Sequence, residues 1–265
     1  MISFRRIYKS FGATEVLCDV SLDVMDGEIF FIIGASGVGK SVLVKHLVGL
    51  LAPDRGEIWL DGEEISGFDE ARMFGVRKKC AMVFQHSTLF DSMTCLDNVA
   101  LPLRKHRRLQ PGQARTLAEQ RLEQVGMLQY GSRYPAELSD GMRKRVAIAR
   151  ALTLEPRYVL FDEPTTGLDL VSARRVDALI ADLSRRLGVT SIVVSHDLKS
   201  IFGIATRIAM LYKSHIRIVG TPDEVKASPD EVVRQFVEGR ASGPMETQDE
   251  VELSRKWASV PSRSR

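Results

Sequence analysis

Glu28–Leu51 reads EIFFIIGASGVGKSVLVKHLVGLL, and the order of its parts decides the fold. Glu28–Ile33 is an almost continuous apolar run that ends in glycine, the pattern of a strand buried on both faces. Val42–Leu51 has helical spacing. Between them Gly34–Ser41 spells G-x-x-x-x-G-K-S, and a strand before it and a helix after it are the setting that the phosphate-loop pattern requires. The glycines let the backbone curl so that successive N–H groups face phosphates. The helix N-terminus adds a partial positive charge. On this reading Gly34, Ala35, Ser36, Gly37, Val38, Gly39, Lys40, Ser41 and Val42 cradle the phosphates of a nucleotide. Lys40 reaches the β- and γ-phosphates, and the Ser41 hydroxyl holds Mg²⁺. A glycine-rich turn with a surface lysine is the plain alternative, and the flanking elements count against it.

Upstream of this unit, Cys18, Val20, Leu22 and Val24 alternate with Asp19, Ser21 and Asp23, as in a half-buried strand. Downstream, GEIWLDGEEI contains Asp61-Gly62, a hairpin-turn signal. The first third therefore reads as an antiparallel β layer beside a βα unit. Cys95–Leu109, Gln113–Val125 and Ser139–Thr153 have helical patterns, and no strand-like run interrupts about 86–156. YVLFDEP (Tyr158–Pro164) and TSIVVSHD (Thr190–Asp197) are again buried strands that end in polar residues, each followed by a helical segment. Such alternation implies an α/β fold with a parallel sheet and sites at the strand C-termini. A strand ending in two acids beside a phosphate loop has a clear task. Asp162 can bind Mg²⁺ through water, and Glu163 can polarise an attacking water. Two acids capping the next loop are the structural alternative.

The bulk numbers exclude several classes. A chain of 265 residues that is 44% hydrophobic can bury a sizeable core, and a net charge of +3 points neither to nucleic acid nor to a membrane surface. Cys18, Cys80 and Cys95 are odd in number and widely spaced, so neither a disulfide framework nor a zinc site is expected, and a reduced, cytosolic compartment fits. The start MISFRRIYKS has no apolar segment of the signal-peptide kind. No apolar run reaches the roughly 18 residues of a membrane span, so a membrane role is expected to come through a partner.

The ordered set GASGVGKS, FQ, LSDGM, FDEP, TTGLD and SH resembles the nucleotide-binding subunit of an ATP-binding-cassette transporter, from about residue 3 to about 225. A phosphate loop alone would fit any P-loop NTPase; LSDGM shortly before FDEP narrows it. The resemblance implies a RecA-like core with a parallel sheet, an antiparallel β subdomain and an inserted helical subdomain. It divides the chain into 1–86 and 157–238 for the ATP-binding core, 87–156 for the helical subdomain and 239–265 for a tail. It implies that Phe11 stacks on adenine, that Gln85 contacts Mg²⁺ and the attacking water, that Asp169 crosses a dimer interface and that His196 meets the γ-phosphate. It also implies a head-to-tail dimer of two copies, in which Ser139, Asp140 and Gly141 of one copy close on ATP held by the other. Lys40, Glu163, His196 and Gln85 are then the catalytic set, and Ser41, Gln85 and Asp162 the metal set.

STLFDSMTCLDNVALPL, LSDGMRKRVAIARAL and VRQFVEGRASGP are similar, more narrowly, to the ATPase subunits of the Mla/Mce phospholipid transporters of double-membraned bacteria. That resemblance implies a permease, a periplasmic MCE lipid-binding subunit and a small STAS-domain subunit as partners, no nucleic acid, and a place on the cytoplasmic side of the inner membrane. Two other readings stay open: the ATPase of another importer, for amino acids or metals, and a non-transport cassette that uses ATP as a switch. Arg143-Lys144-Arg145 reads first as a solvated helix face, and so does LRKHRRL (Leu103–Leu109), with anionic lipid headgroups as the other possibility for the latter. Asp140 departs from the family's usual glycine. With Ser139 as the N-cap it is expected to be the first helical residue, favoured there by the helix dipole. Ala241–Arg265 lacks a long apolar period and is expected to be disordered alone or ordered by a partner.

Overall fold

The computed structural model describes residues 1–245 of the chain. Two long strands open it, β1 (Ile2–Phe11) and β2 (Thr14–Val24), paired antiparallel. Val20, Leu22 and Val24 point inward as period two predicts. Beyond Asp19 the phase changes, and Leu17 rather than Cys18 is fully buried. Asp19 lies at φ 52°, and between the pairs Ile7–Val20 and Lys9–Leu17 three steps along β2 match two along β1. A bulge of this kind shifts which residues face the core, and an alternation count cannot see it.

The strand β3 (Ile29–Ile33) is buried at all five positions and leads through the phosphate loop into α1 (Lys40–Leu47). Then come β4 (Arg55–Leu60) and β5 (Glu63–Glu64), joined by Asp61 and Gly62 at φ 54° and 82°. Two positive φ angles in a two-residue loop are the type I′ geometry that Asp-Gly favours. After α2 (Glu70–Lys79) and β6 (Cys80–Val83) the chain runs through three helices, α3 (Cys95–His106), α4 (Pro111–Gln124) and α5 (Asp140–Leu152), which pack on one another. It returns with β7 (Tyr158–Asp162), α6 (Leu170–Leu187), β8 (Thr190–Val194), α7 (Leu198–Ile204), β9 (Arg207–Tyr212) and β10 (His215–Gly220).

The strands form two sheets. The order β2-β1-β4-β5 is antiparallel throughout. The order β10-β9-β3-β8-β7-β6 is parallel from β9 to β6, with β10 antiparallel at one edge. One core joins them: Phe4, Ile7 and Leu17 of the antiparallel layer pack with Phe30, Ile32, Leu43, Tyr158 and Ile192. Each fully buried side chain of this size contributes about 1.5–3 kcal/mol. The parallel register sets Ile32 beside Val194 and Val194 beside Asp162, so the C-terminal ends of β3, β8 and β7 share one edge. The fold is thus the α/β arrangement with a β layer that the strand and helix patterns imply.

Compactness divides the chain after Pro222, whereas the sequence reading divides it after 238. Residues 1–222 form the unit described above. In the second unit, α8 (Glu231–Glu238) starts at Asp230, whose carboxylate accepts from the backbone N–H groups of Val232 and Val233. Residues 239–245 fold back on it: Met245 N–H donates to Gln235 Oε1 at 2.7 Å, and Gln235 Nε2 donates to the Arg240 carbonyl at 3.3 Å. The rest of the segment expected to be disordered, 246–265, lies outside the described residues. Among the described residues no helix is long and apolar enough to cross a membrane.

Candidate active site

The phosphate loop is shaped by what stands behind it. Gly34 lies at φ 143°, and a Cβ there would sit 2.3 Å from the Leu211 carbonyl oxygen. Gly39 lies at φ 110°, and its Cβ would meet Val16 at 2.8 Å. Both need glycine for conformation and for space. Ala35, Ser36 and Gly37 are exposed, and Val38 packs against the core. Lys40 is 5% exposed, and its Nζ donates to the carbonyls of Gly34 at 3.0 Å and Ala35 at 2.8 Å. Burial pushes its pKa below the usual lysine value, against the pull of the carboxylates of Glu163 and Asp162.

Three strand ends bring the remaining groups to this loop. Asp162 ends β7 beside α1, and Ser41 Oγ donates to its Oδ1 at 2.5 Å. Glu163 follows at φ 50°, a left-handed backbone uncommon for a residue with a side chain and frequent at functional sites. Its backbone N–H donates to the Val194 carbonyl at 2.9 Å, which fixes where the side chain leaves. Glu163 Oε2 accepts from Thr166 Oγ1 at 2.8 Å and lies 2.9 Å from His196 Nδ1, while Oε1 is 4.0 Å from Lys40 Nζ. His196, just past β8, keeps a side chain that is 58% exposed.

These groups line a cavity of about 310 Å³ with Ser36, Gly37, Gly39, Lys40, Ser41, Val42, Gln85, Glu163, Thr166 and His196 on its wall. The loop, the base pair Lys40 and His196, the acid and Gln85 therefore meet in one place. Gly34, Ala35, Val38 and Asp162 stand just behind this wall, and five further predicted residues do not line the cavity. Phe11 sits at the end of β1, 48% exposed, with Lys9 Nζ 5.4 Å from its ring centroid. Ser139 caps α5 by accepting from Met142 N–H at 3.4 Å. Asp140 is the first residue of α5 and is ion-paired with Arg143. Gly141 lies where a Cβ would meet Ser172 Cβ at 2.9 Å, so α5 approaches the start of α6 closely. Asp169 caps α6, accepting from Val171 N–H at 3.0 Å and Ser172 N–H at 2.9 Å. Hydrogen bonding by the Ser172 side chain, and then by these backbone N–H groups, holds its carboxyl below the usual aspartate range. A second cavity of about 520 Å³ runs from Gln85 and Thr166 to Asp140 and Arg143.

The profile of the ABC transporter family matches residues 17–166, more than half of the chain. The chain belongs to the ABC transporter family. It is similar to the intermembrane phospholipid transport system ATP-binding protein MlaF of Escherichia coli K12, with 39% identity over 92% of this chain and 91% of that one. It is similar also to the probable ribonucleotide transport ATP-binding protein mkl of Mycobacterium leprae, with 36% identity over 96% of this chain and 73% of that one. Among solved structures it resembles the ATP-binding cassette MJ0796 in a dimeric post-hydrolysis state bound to ADP and Pi. That likeness has a TM-score of 0.77 and 30% identity, over 84% of this chain and 99% of that one. The chain is an ATP-binding cassette and an ATPase of this family.

Within the ABC transporter cassette the sequence reading missed two residues. Thr166 stands in the quoted TTGLD without a task, yet it orients Glu163. Lys144 was read as part of a solvated face and is 2% exposed. The signal was available: Lys144 shares the i, i+3, i+7, i+11 stripe of Gly141, Ile148 and Leu152, all buried.

Proposed function

We propose that this cassette powers phospholipid movement between two membranes, through a permease to which it binds as a pair of copies. The observation that carries the catalytic half is the convergence of Lys40, Ser41, Glu163 and His196 on one cavity at the end of the parallel sheet, with Asp162 bonded to Ser41 behind it. The likeness to MlaF along nine-tenths of both chains supports the cargo. The site suits a nucleoside triphosphate: Gly34 and Gly39, where a Cβ would collide with Leu211 and Val16, let the loop keep its present path against the strands behind it. Ser41 and Asp162 offer one hydroxyl and one carboxylate, hard oxygen donors that fit Mg²⁺ with the phosphates completing its shell. Bound there with Gln85 near, the ion would neutralise phosphate charge.

Lys40 would leave the loop carbonyls for the β- and γ-phosphate oxygens, a charge-assisted exchange. Glu163, pinned by Thr166 and by its backbone bond to Val194, would orient and deprotonate the attacking water. His196 lies on the other side of Glu163 and would meet the γ-phosphate, so that the acid is held between Lys40 and the imidazole. Phosphoryl transfer to water asks for positioning and charge stabilisation of this kind. Phe11 would stack on the adenine. Ser139, Asp140, Gly141 and Asp169, which are absent from the chain's own phosphate cavity, would face the nucleotide of the second copy. An MCE lipid-binding subunit and a STAS-domain subunit would complete the complex, and the cassette would sit on the cytoplasmic side of an inner membrane.

Glu163→Gln tests the catalytic reading. Hydrolysis in the assembled complex should fall about 10²–10⁴-fold while ATP affinity stays within about twofold. Near-normal turnover would refute the assignment. The likeness to the probable ribonucleotide transport ATP-binding protein mkl favours a second cargo. Transfer of labelled phospholipid between vesicles by the reconstituted complex decides between the two: ATP-dependent transfer supports the lipid, and uptake of labelled ribonucleotide without it supports the other.

A further inference from the structure

The bases that follow LSDGM (Leu138–Met142), the signature stretch that opens α5, do not share one environment. Arg143 closes on Asp140 in the same turn and donates to the Leu138 carbonyl at 2.8 Å. Lys144 turns inward, and its Nζ donates to the carbonyls of Phe84 at 2.9 Å and Gln85 at 2.6 Å. Arg150, further along the same helix, donates from Nη1 to the Thr88 carbonyl at 3.0 Å and from Nη2 to Thr88 Oγ1 at 3.1 Å. Thr88 itself lies at φ 48°, a conformation that persists only where neighbours impose it. Beyond it the fully buried Asn98 accepts from Phe90 N–H at 2.8 Å and returns a bond to the Phe90 carbonyl at 3.0 Å.

The segment 84–88 is therefore gripped by one helix at both ends. Its ladder with β7 stops at the pair Val83–Phe161, so the carbonyls of Phe84 and Gln85 lie just beyond the sheet's pairing. A buried ammonium is an expensive way to bind them. Burial pushes the Lys144 pKa down to about 8, with Asp162 and Asp140 only partly opposing it. A leucine or methionine would fill the space without that desolvation. The ammonium does what they cannot: it fixes two consecutive carbonyls, and with them the Gln85 Cα from which the side chain reaches the phosphate cavity.

We propose that Lys144 is a positioning residue for Gln85, and that with Arg150 it makes α5 and the segment 84–88 one mechanical element. Any shift of the signature helix then displaces Gln85 within the same chain's cavity, through hydrogen bonds to backbone rather than through the side chain of Gln85. This rests on the role given to Gln85 above.

A double-mutant cycle on the full chain tests it, read as steady-state hydrolysis of Mg-ATP. Lys144→Met should lower kcat about fivefold or more, with KM for ATP within about twofold, and should change the kcat of Gln85→Ala by less than about twofold. Equal loss in both backgrounds would overturn the proposal. A Gln85→Ala variant with unchanged kcat would instead remove the role assigned to Gln85. Amide exchange without nucleotide reads the clamp independently. Amides of 84–90 should exchange about tenfold faster in Lys144→Met while those of 34–41 keep their rates. Unchanged exchange at 84–90 would also overturn it. Should Lys144→Met fail to fold, Arg150→Ala runs the same cycle and the same exchange measurement from the other end of the segment.

Discussion

Asp140 stands where the family's usual signature has glycine, and its surroundings explain how the chain tolerates it. Ser139 caps the helix, Asp140 opens it, and Arg143 three residues on neutralises the carboxylate. An acid in the first turn gains about 0.3–1 kcal/mol from the helix dipole. When a second copy closes, the same carboxylate would come near a γ-phosphate, and Arg143 would be shared between two anions. Asp140→Gly should therefore raise the maximal rate of basal hydrolysis in the complex by about two- to fivefold, the scale of a half-screened charge contact. A rate curve against Mg-ATP concentration decides this, and an unchanged or lower plateau means that the acid is accommodated or needed. Single residues were legible in the sequence when a motif names them, as with Lys40, Ser41, Asp162 and Glu163. Lys144 was missed although its place on the buried stripe of α5 was there to read, because a basic run is commonly solvated and the carbonyls it bonds lie some 60 residues away in the chain.

At the scale of elements, helix and strand existence was legible and local phase was less so. The three helices between β6 and β7 begin and end near where their periodicity places them, since caps such as Thr94 for α3 and Ser139 for α5 are written in the sequence. The bulge at Asp19 was not, because it depends on pairing with β1. One contact ties the helices to each other. Glu155, in the turn after α5, accepts from Arg107 at the end of α3 and from Arg121 of α4, both at 2.8 Å. The hydrogen bond from Arg107 is the main cause that lowers its pKa from 4.5. A carboxyl with a depressed native pKa stabilises the fold above its unfolded value and loses that contribution as pH falls through the native one. Glu155→Gln should thus cost about 1 kcal/mol or less at neutral pH, since Glu155 is more than half exposed. The gap between the two proteins in denaturant unfolding should close below pH about 4.5. A gap that is independent of pH would show that packing and not charge is lost.

At the scale of the whole molecule, the two sheets are held by more than apolar contact. Tyr158 of β7 is fully buried, and its hydroxyl lies 2.9 Å from Asp26 Oδ1 and 2.6 Å from Asp61 Oδ1, in turns of the antiparallel layer and its junction with β3. Burial, and then these two carboxylates, push the phenol far above its usual range. Arg157 reaches the same two acids at 2.6 Å and 3.0 Å. Tyr158→Phe should lower stability by about 1–3 kcal/mol in a single transition, with ATP affinity unchanged. Two separate transitions, or no loss, would sink the idea that this group fastens the sheets. Lys40, finally, is satisfied before any ligand arrives, by carbonyls of the loop it closes. A ligand must draw the amine away from neutral acceptors, and only oxygens carrying more charge make that exchange favourable. Nucleosides and monophosphates, which bring little charge to the position of the amine, would then be refused for want of attraction and not for want of room. The loop would work as a threshold on phosphate charge, set at folding and independent of which base the nucleotide carries.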